Sequence, residues 1–393
     1  MRKLSLMKNT ARILSIYASD TSGVCSMLYE LGGLVIVHDA SGCNSTYSTH
    51  DEPRWYGNPS MIYISALTES DMIFGGDGKL IGDSLEAIRT LSPRFAVLCG
   101  SPMPMLIGTD FDAVAAEVES KAKIPVIPIH TNGMRSYLSG ASEALTSLLR
   151  RFCSFEPGKT RSGRIPINIL GATPLDFSTN GQEESIRSLL VSNGFEIVSV
   201  MAMGSSLEEI ADAGRACVNL VVSSSGLAAA EYLKERFGTP WAAGVPYGEK
   251  TSGILIRKLK EIAESGESCP FCLDRTELDD RQGLLIVGES VSAGSLAKAV
   301  QEDFGIPARA GIPEALQPVL SASHDKILAD EEDVFRVFGE CSGVVADPLY
   351  SPACPGSTPF YPLPHEAFSG RCFRGRIPNL IGSGLTRRFF ESC

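Results

Sequence analysis

The chain has 393 residues, 44% of them hydrophobic, and a formal net charge of -11. That length exceeds what one hydrophobic core supports and predicts two or three domains, while the negative balance, with no Lys/Arg-rich block, argues against a nucleic-acid partner. No apolar run approaches the ~18 to 20 residues a bilayer requires, the first residues lack a signal-peptide core, and irregularly spaced cysteines do not form a secreted disulfide framework, so the expectation is a cytoplasmic protein with no membrane partner.

In chain order, short β-branched runs alternate with longer amphipathic stretches, the pattern of βα units feeding a parallel sheet. The predicted class is α/β, with three doubly wound, Rossmann-like parallel-sheet domains at residues 1–160, 161–280 and 281–393. The first carries predicted strands at Leu34–His38, Met61–Ala66, Phe95–Leu98 and Pro125–Ile129. It also holds three cysteines read as sitting where a strand-like run meets a Gly, Ser or Pro turn. Cys25 closes Asp20-Thr-Ser-Gly-Val-Cys, Cys43 closes His38-Asp-Ala-Ser-Gly-Cys, and Cys99 ends Phe95-Ala-Val-Leu-Cys. Thiolates at such positions suit an iron-sulfur cluster, because soft sulfur holds iron and turn amides approach the inorganic sulfides. Residue type alone fits three buried thiols equally well. Asp20 and Asp39 lie close in sequence to these cysteines, and His38 ends a strand beside them. Gly75-Gly-Asp-Gly-Lys-Leu80 lacks the spacing and the Ser or Thr of a phosphate loop.

The second stretch predicts strands at Ile167–Leu170, Glu196–Val200 and Val218–Val222 and a helix over Gly253–Ala263. Cys269-Pro-Phe-Cys272 is flanked by acidic residues, which disfavour a reactive thiolate. The third stretch opens with a strand at Leu284. There Gly288-Glu-Ser-Val-Ser-Ala-Gly294 follows a strand and opens a helix, so its amides could meet an anion. His365, in Pro362-Leu-Pro-His-Glu366, is a candidate catalytic proton donor, since imidazole titrates near neutrality. Glu289 and Glu366 are competing acids.

Residues Cys25 to about Asp112 resemble the nitrogenase component 1 family. The resemblance rests on Ser41-Gly-Cys43, Tyr47, the run Ile64-Ser-Ala-Leu-Thr-Glu-Ser-Asp-Met-Ile-Phe-Gly-Gly76, and Cys99 followed by Ile107-Gly-Thr-Asp110. It implies that Cys25, Cys43 and Cys99 bind an iron-sulfur cluster, 4Fe-4S or a larger fused form, at a subunit interface. It implies a homodimer or a pairing with a homologous subunit, and an ATP-dependent iron-sulfur reductase as electron donor. The implied activity is that of an oxidoreductase reducing a cavity-bound, tetrapyrrole-like substrate. The alternatives are a scaffold for metal-cluster maturation or a non-catalytic partner subunit. The positions at which the family anchors its large catalytic metal cofactor correspond here to Ser223 or Val222 and to Pro364, with His365 one residue late.

Overall fold

The structure is a computed structural model, and it describes residue 13 and residues 16–40, 51–58, 61–154, 163–276, 283–314 and 317–390. Three parallel sheets organise it. The first, in the order β2-β1-β3-β4, joins β1 (Gly33–His38), β2 (Ile62–Ile64), β3 (Phe95–Gly100) and β4 (Val126–Ile129). The second, β6-β5-β7-β8, joins β5 (Ile165–Leu170), β6 (Phe195–Ser199), β7 (Val218–Val221) and β8 (Trp241–Ala243). The third has five strands in the order β11-β10-β9-β12-β13: β9 (Leu284–Val287), β10 (Ala308–Ile312), β11 (Lys326–Ile327), β12 (Gly343–Ala346) and β13 (Phe360–Pro362). Every pairing between these strands is parallel, as helix crossovers require.

The central strands β1, β3, β7, β9 and β12 are buried on both faces, which is why they read as unbroken apolar runs rather than alternating ones. The predicted domain boundaries at 160 and 280 fall in segments outside the described residues. Beyond β13 the chain crosses back. Asn180 Nδ2 donates to the Arg374 and Ile377 carbonyls, and Asn379 Nδ2 to that of Gly181, so residues 374–382 lie against the second unit.

Two helices fix the first site. Helix Asp20–Leu28 crosses helix Tyr137–Phe152 at glycines. A Cβ on Gly23 would meet the Tyr137 carbonyl oxygen at 2.0 Å, and one on Gly140 would meet the Asp20 carbonyl oxygen at 1.8 Å. Only hydrogen fits at either position, so the two backbones touch.

Candidate functional site

Cys25 lies inside helix Asp20–Leu28, not on a strand-to-turn junction as the sequence suggested. Gly23, which looked like turn chemistry, instead serves the close helix crossing. Cys99 is the penultimate residue of β3, paired in register between Val37 and Ile129, and Gly100 ends the strand. Both thiols are buried, at 2% and 0% exposure. Burial pushes the Cys25 thiol well above its ordinary value, and the charge that Cys99 would carry raises it further. Both thiols belong to the same hydrophobic core. Burial pushes Cys99 up to about 12, with Asp20 adding to the rise and the Thr131 hydroxyl opposing it. Cys43 and His50 lie outside the described residues. Among the described residues no three Cys, His, Asp or Glu side chains converge at metal-binding range.

Polar groups hold the elements around these cysteines in place. Asp20, fully buried, accepts from the amides of Thr21, Asn132 and Gly133 at 2.8 to 2.9 Å and faces Arg135 Nε at 3.4 Å. It caps backbone rather than offering a free oxygen. Asp39 accepts from the Ser101 hydroxyl at 2.5 Å. Arg54 is a buried hub: Nε meets Glu52 at 2.6 Å, Nη1 meets Glu30 and the Ala202 carbonyl, and Nη2 meets the Ser26 carbonyl at 2.7 Å. It ties the Cys25 helix to residues 52–54. His38 Nδ1 lies 2.7 Å from the Ser65 hydroxyl, its Nε2 has no partner among the described residues, and burial lowers its basicity.

The other sequence candidates resolve in different ways. Lys79 of the glycine-rich stretch pairs with Asp71 at 2.8 Å on the surface. The amides opening helix Ser290–Phe304 are taken by the chain's own Glu289, whose carboxylate accepts from Val291, Ser292 and Ser224. Both Cys269 and Cys272 have raised thiols, but burial is the main cause, ahead of the flanking acids. Cys269 adds its backbone to the edge of the second sheet beside β8. Ser223 hydrogen-bonds within its own 3-10 turn, and Pro364 has no donor to offer a metal, so these two positions do not fit the family's large metal cofactor.

His365 sits at the junction of the three units. Its backbone N–H donates to Asp347 at 2.8 Å, its ring packs 4.4 Å from that of Phe368, and Nε2 is 3.5 Å from Asp176 Oδ1. Glu366 is paired with Arg374 at 2.9 Å. Asp176 and Tyr137, which share a hydrogen bond here, escaped sequence reasoning. The available signal was the Thr173-Pro174 helix start immediately after β5. A cavity of about 580 Å³ between the first and third units is lined by Tyr17, Arg135, Ser136 and Glu314.

The profile of the family described as nitrogenase component 1 type oxidoreductase matches residues 21–282. A nitrogenase molybdenum-iron protein alpha chain from Methanosarcina barkeri is 26% identical over 241 residues, 59% of this chain and 44% of that protein. The nitrogenase iron-molybdenum cofactor biosynthesis protein NifE of Clostridium pasteurianum is 27% identical over 285 residues, 67% of this chain and 60% of that one. The chain thus spans about half the length of such curated relatives. A solved structure of nitrogenase Cp1 at pH 6.5 superposes with a TM-score of 0.71 over 98% of this chain and 93% of its own, at 15% identity, which is a likeness of fold.

Proposed function

Because the chain belongs to the nitrogenase component 1 type oxidoreductase family, we propose that it is a subunit of a reductive enzyme served by an ATP-dependent iron-sulfur reductase. In this reading Cys25, Cys43 and Cys99 hold an iron-sulfur cluster, four-iron or larger fused, where two like or homologous subunits meet in the cytoplasm. Such a cluster, when bound, supplies low-potential one-electron chemistry. The observation that supports the reading is that Cys25 and Cys99 are both buried in one hydrophobic core, with thiols that burial keeps protonated. Those protons leave as metal arrives, so loading should release protons and be favoured by higher pH. Three thiolates are one short of a four-coordinate set, hence the second subunit. Asp20 and Arg54 hold the helix and loop around these cysteines. In this reading His365 supplies a proton to an unsaturated, tetrapyrrole-like substrate. The family includes proteins named for cofactor biosynthesis, and Ser223 and Pro364 are poor metal anchors. Those two facts favour, as a second reading, a scaffold on which a metal cluster matures, or a non-catalytic partner subunit.

The test is anaerobic purification with iron, acid-labile sulfide and electron paramagnetic resonance for wild type and for Cys25→Ala, Cys43→Ala and Cys99→Ala. Roughly four or eight irons per dimer, lost in each variant, is the expected result. A wild type without iron after reconstitution would end this reading.

A further inference from the structure

Tyr137, Asp176 and His365 come from the first, second and third units and meet at one oxygen. The Tyr137 hydroxyl donates to Asp176 Oδ1, and the same oxygen is 3.5 Å from His365 Nε2. Around this contact, Asp176 Oδ2 and both ring nitrogens of His365 are buried without a hydrogen-bond partner among the described residues. The Asp176 side chain is 1% exposed and that of His365 15%. A buried polar atom left unpaired costs about 1 to 3 kcal/mol. Three of them at one contact mark a place where protonation and a bound group, rather than folding, set the arrangement.

The other charged groups facing the ring are already committed. Asp347 accepts from the His365 and Leu349 amides and the Ser369 hydroxyl. Glu366 is held by Arg374. Glu289 caps its helix and the Ser224 amide. Tyr247, near Asp176 and Glu289, bonds to Ser292. Among the described residues, Asp176 is the carboxylate that faces the ring with an oxygen to spare.

We propose that Asp176 and Tyr137 are positioning residues for His365: Asp176 orients the imidazole and holds the proton at Nε2, and Tyr137 sets how much of the Asp176 charge the ring receives. The inference rests on the reading of His365 as proton donor and adds the groups that control it. The two partners act in opposite directions. Removing the carboxylate removes the counter-charge of the imidazolium, whereas removing the phenol returns to the imidazole the charge that its hydrogen bond had drawn off.

The experiment is a nuclear magnetic resonance titration of the histidine rings in the full metal-free chain, with the His365 signal assigned through His365→Gln. Asp176→Asn should lower the His365 midpoint by about one pH unit, the scale of a carboxylate within 4 to 6 Å, and Tyr137→Phe should raise it by less. Asp176→Glu, which keeps the charge, should stay near wild type and serves also if the asparagine variant does not fold. An unmoved midpoint in Asp176→Asn, or shifts of the same sign in it and Tyr137→Phe, would overturn the proposal; so would Asp176→Glu falling well below wild type. The donor reading is judged separately: His365→Gln should keep its iron and lose substrate reduction.

Discussion

His130 shows how one side chain can make stability depend on pH. Its Nε2 lies 2.8 Å from Asp112 and its Nδ1 3.3 Å from Glu143, so the ring clamps the start of helix Phe111–Ala122 to helix Tyr137–Phe152. The hydrogen bond to Asp112 raises its affinity for a proton, with Glu143 adding to it. A free imidazole titrates near ~6.5. The folded value is higher, so this contribution is fully present below ~6.5 and is lost as pH rises through the folded value. The urea midpoint should therefore be higher at pH 6 than at pH 8.5, and His130→Gln should flatten that difference. Equal slopes for wild type and variant would remove His130 from the account.

The glycine crossing governs the next scale up. Gly23→Ala or Gly140→Ala drives a methyl into a carbonyl oxygen, and because the obstacle is backbone the helices must part. A cost of about 1 to 3 kcal/mol, read from denaturant midpoints, should come with reduced iron content, since Cys25 rides on one of those helices. Full iron retention would show that the crossing does not position Cys25. This crossing also marks where the sequence stops being legible. Long apolar strands such as β3 and β5 announced themselves, and with them Cys99. The structure adds β8, β10, β11 and β13, whose signals are weak for physical reasons. β8 and β11 have only three and two residues. β10 carries the buried Arg309, and β13 ends in Pro362, tolerated because it is an edge strand. Asp20-Thr-Ser-Gly reads locally as a turn, and only the opposing helix, more than a hundred residues away, makes it helical. Asp176 is a lone Asp until Tyr137 and His365 reach it from distant parts of the chain.

At the scale of the whole molecule, the carboxyl edge of the first sheet is unusually apolar. Phe74 is 86% exposed, Ile73 73%, Leu106 77% and Met134 75%, on segments that follow β2, β3 and β4. Exposed apolar groups at one edge are where the proposed subunit contact would form, and Cys99 is the next-to-last residue of β3 at that edge. Phe74→Glu with Leu106→Glu should convert a dimer to monomer in sedimentation velocity and lower the iron bound per chain; a variant that remains a dimer would move the interface elsewhere. The returning segment 374–382 has a different consequence. Arg374 reaches the Asp51 carbonyl in the first unit while its own carbonyl is held by Asn180 in the second, and the Gly382 amide bonds to Pro246. Residues 374–382 thus strap the first two units together. Such units are not interchangeable cassettes: a chimera that borrowed its third unit from a relative would bring a foreign strap to both neighbours, and recombination would tend to pass the chain on whole.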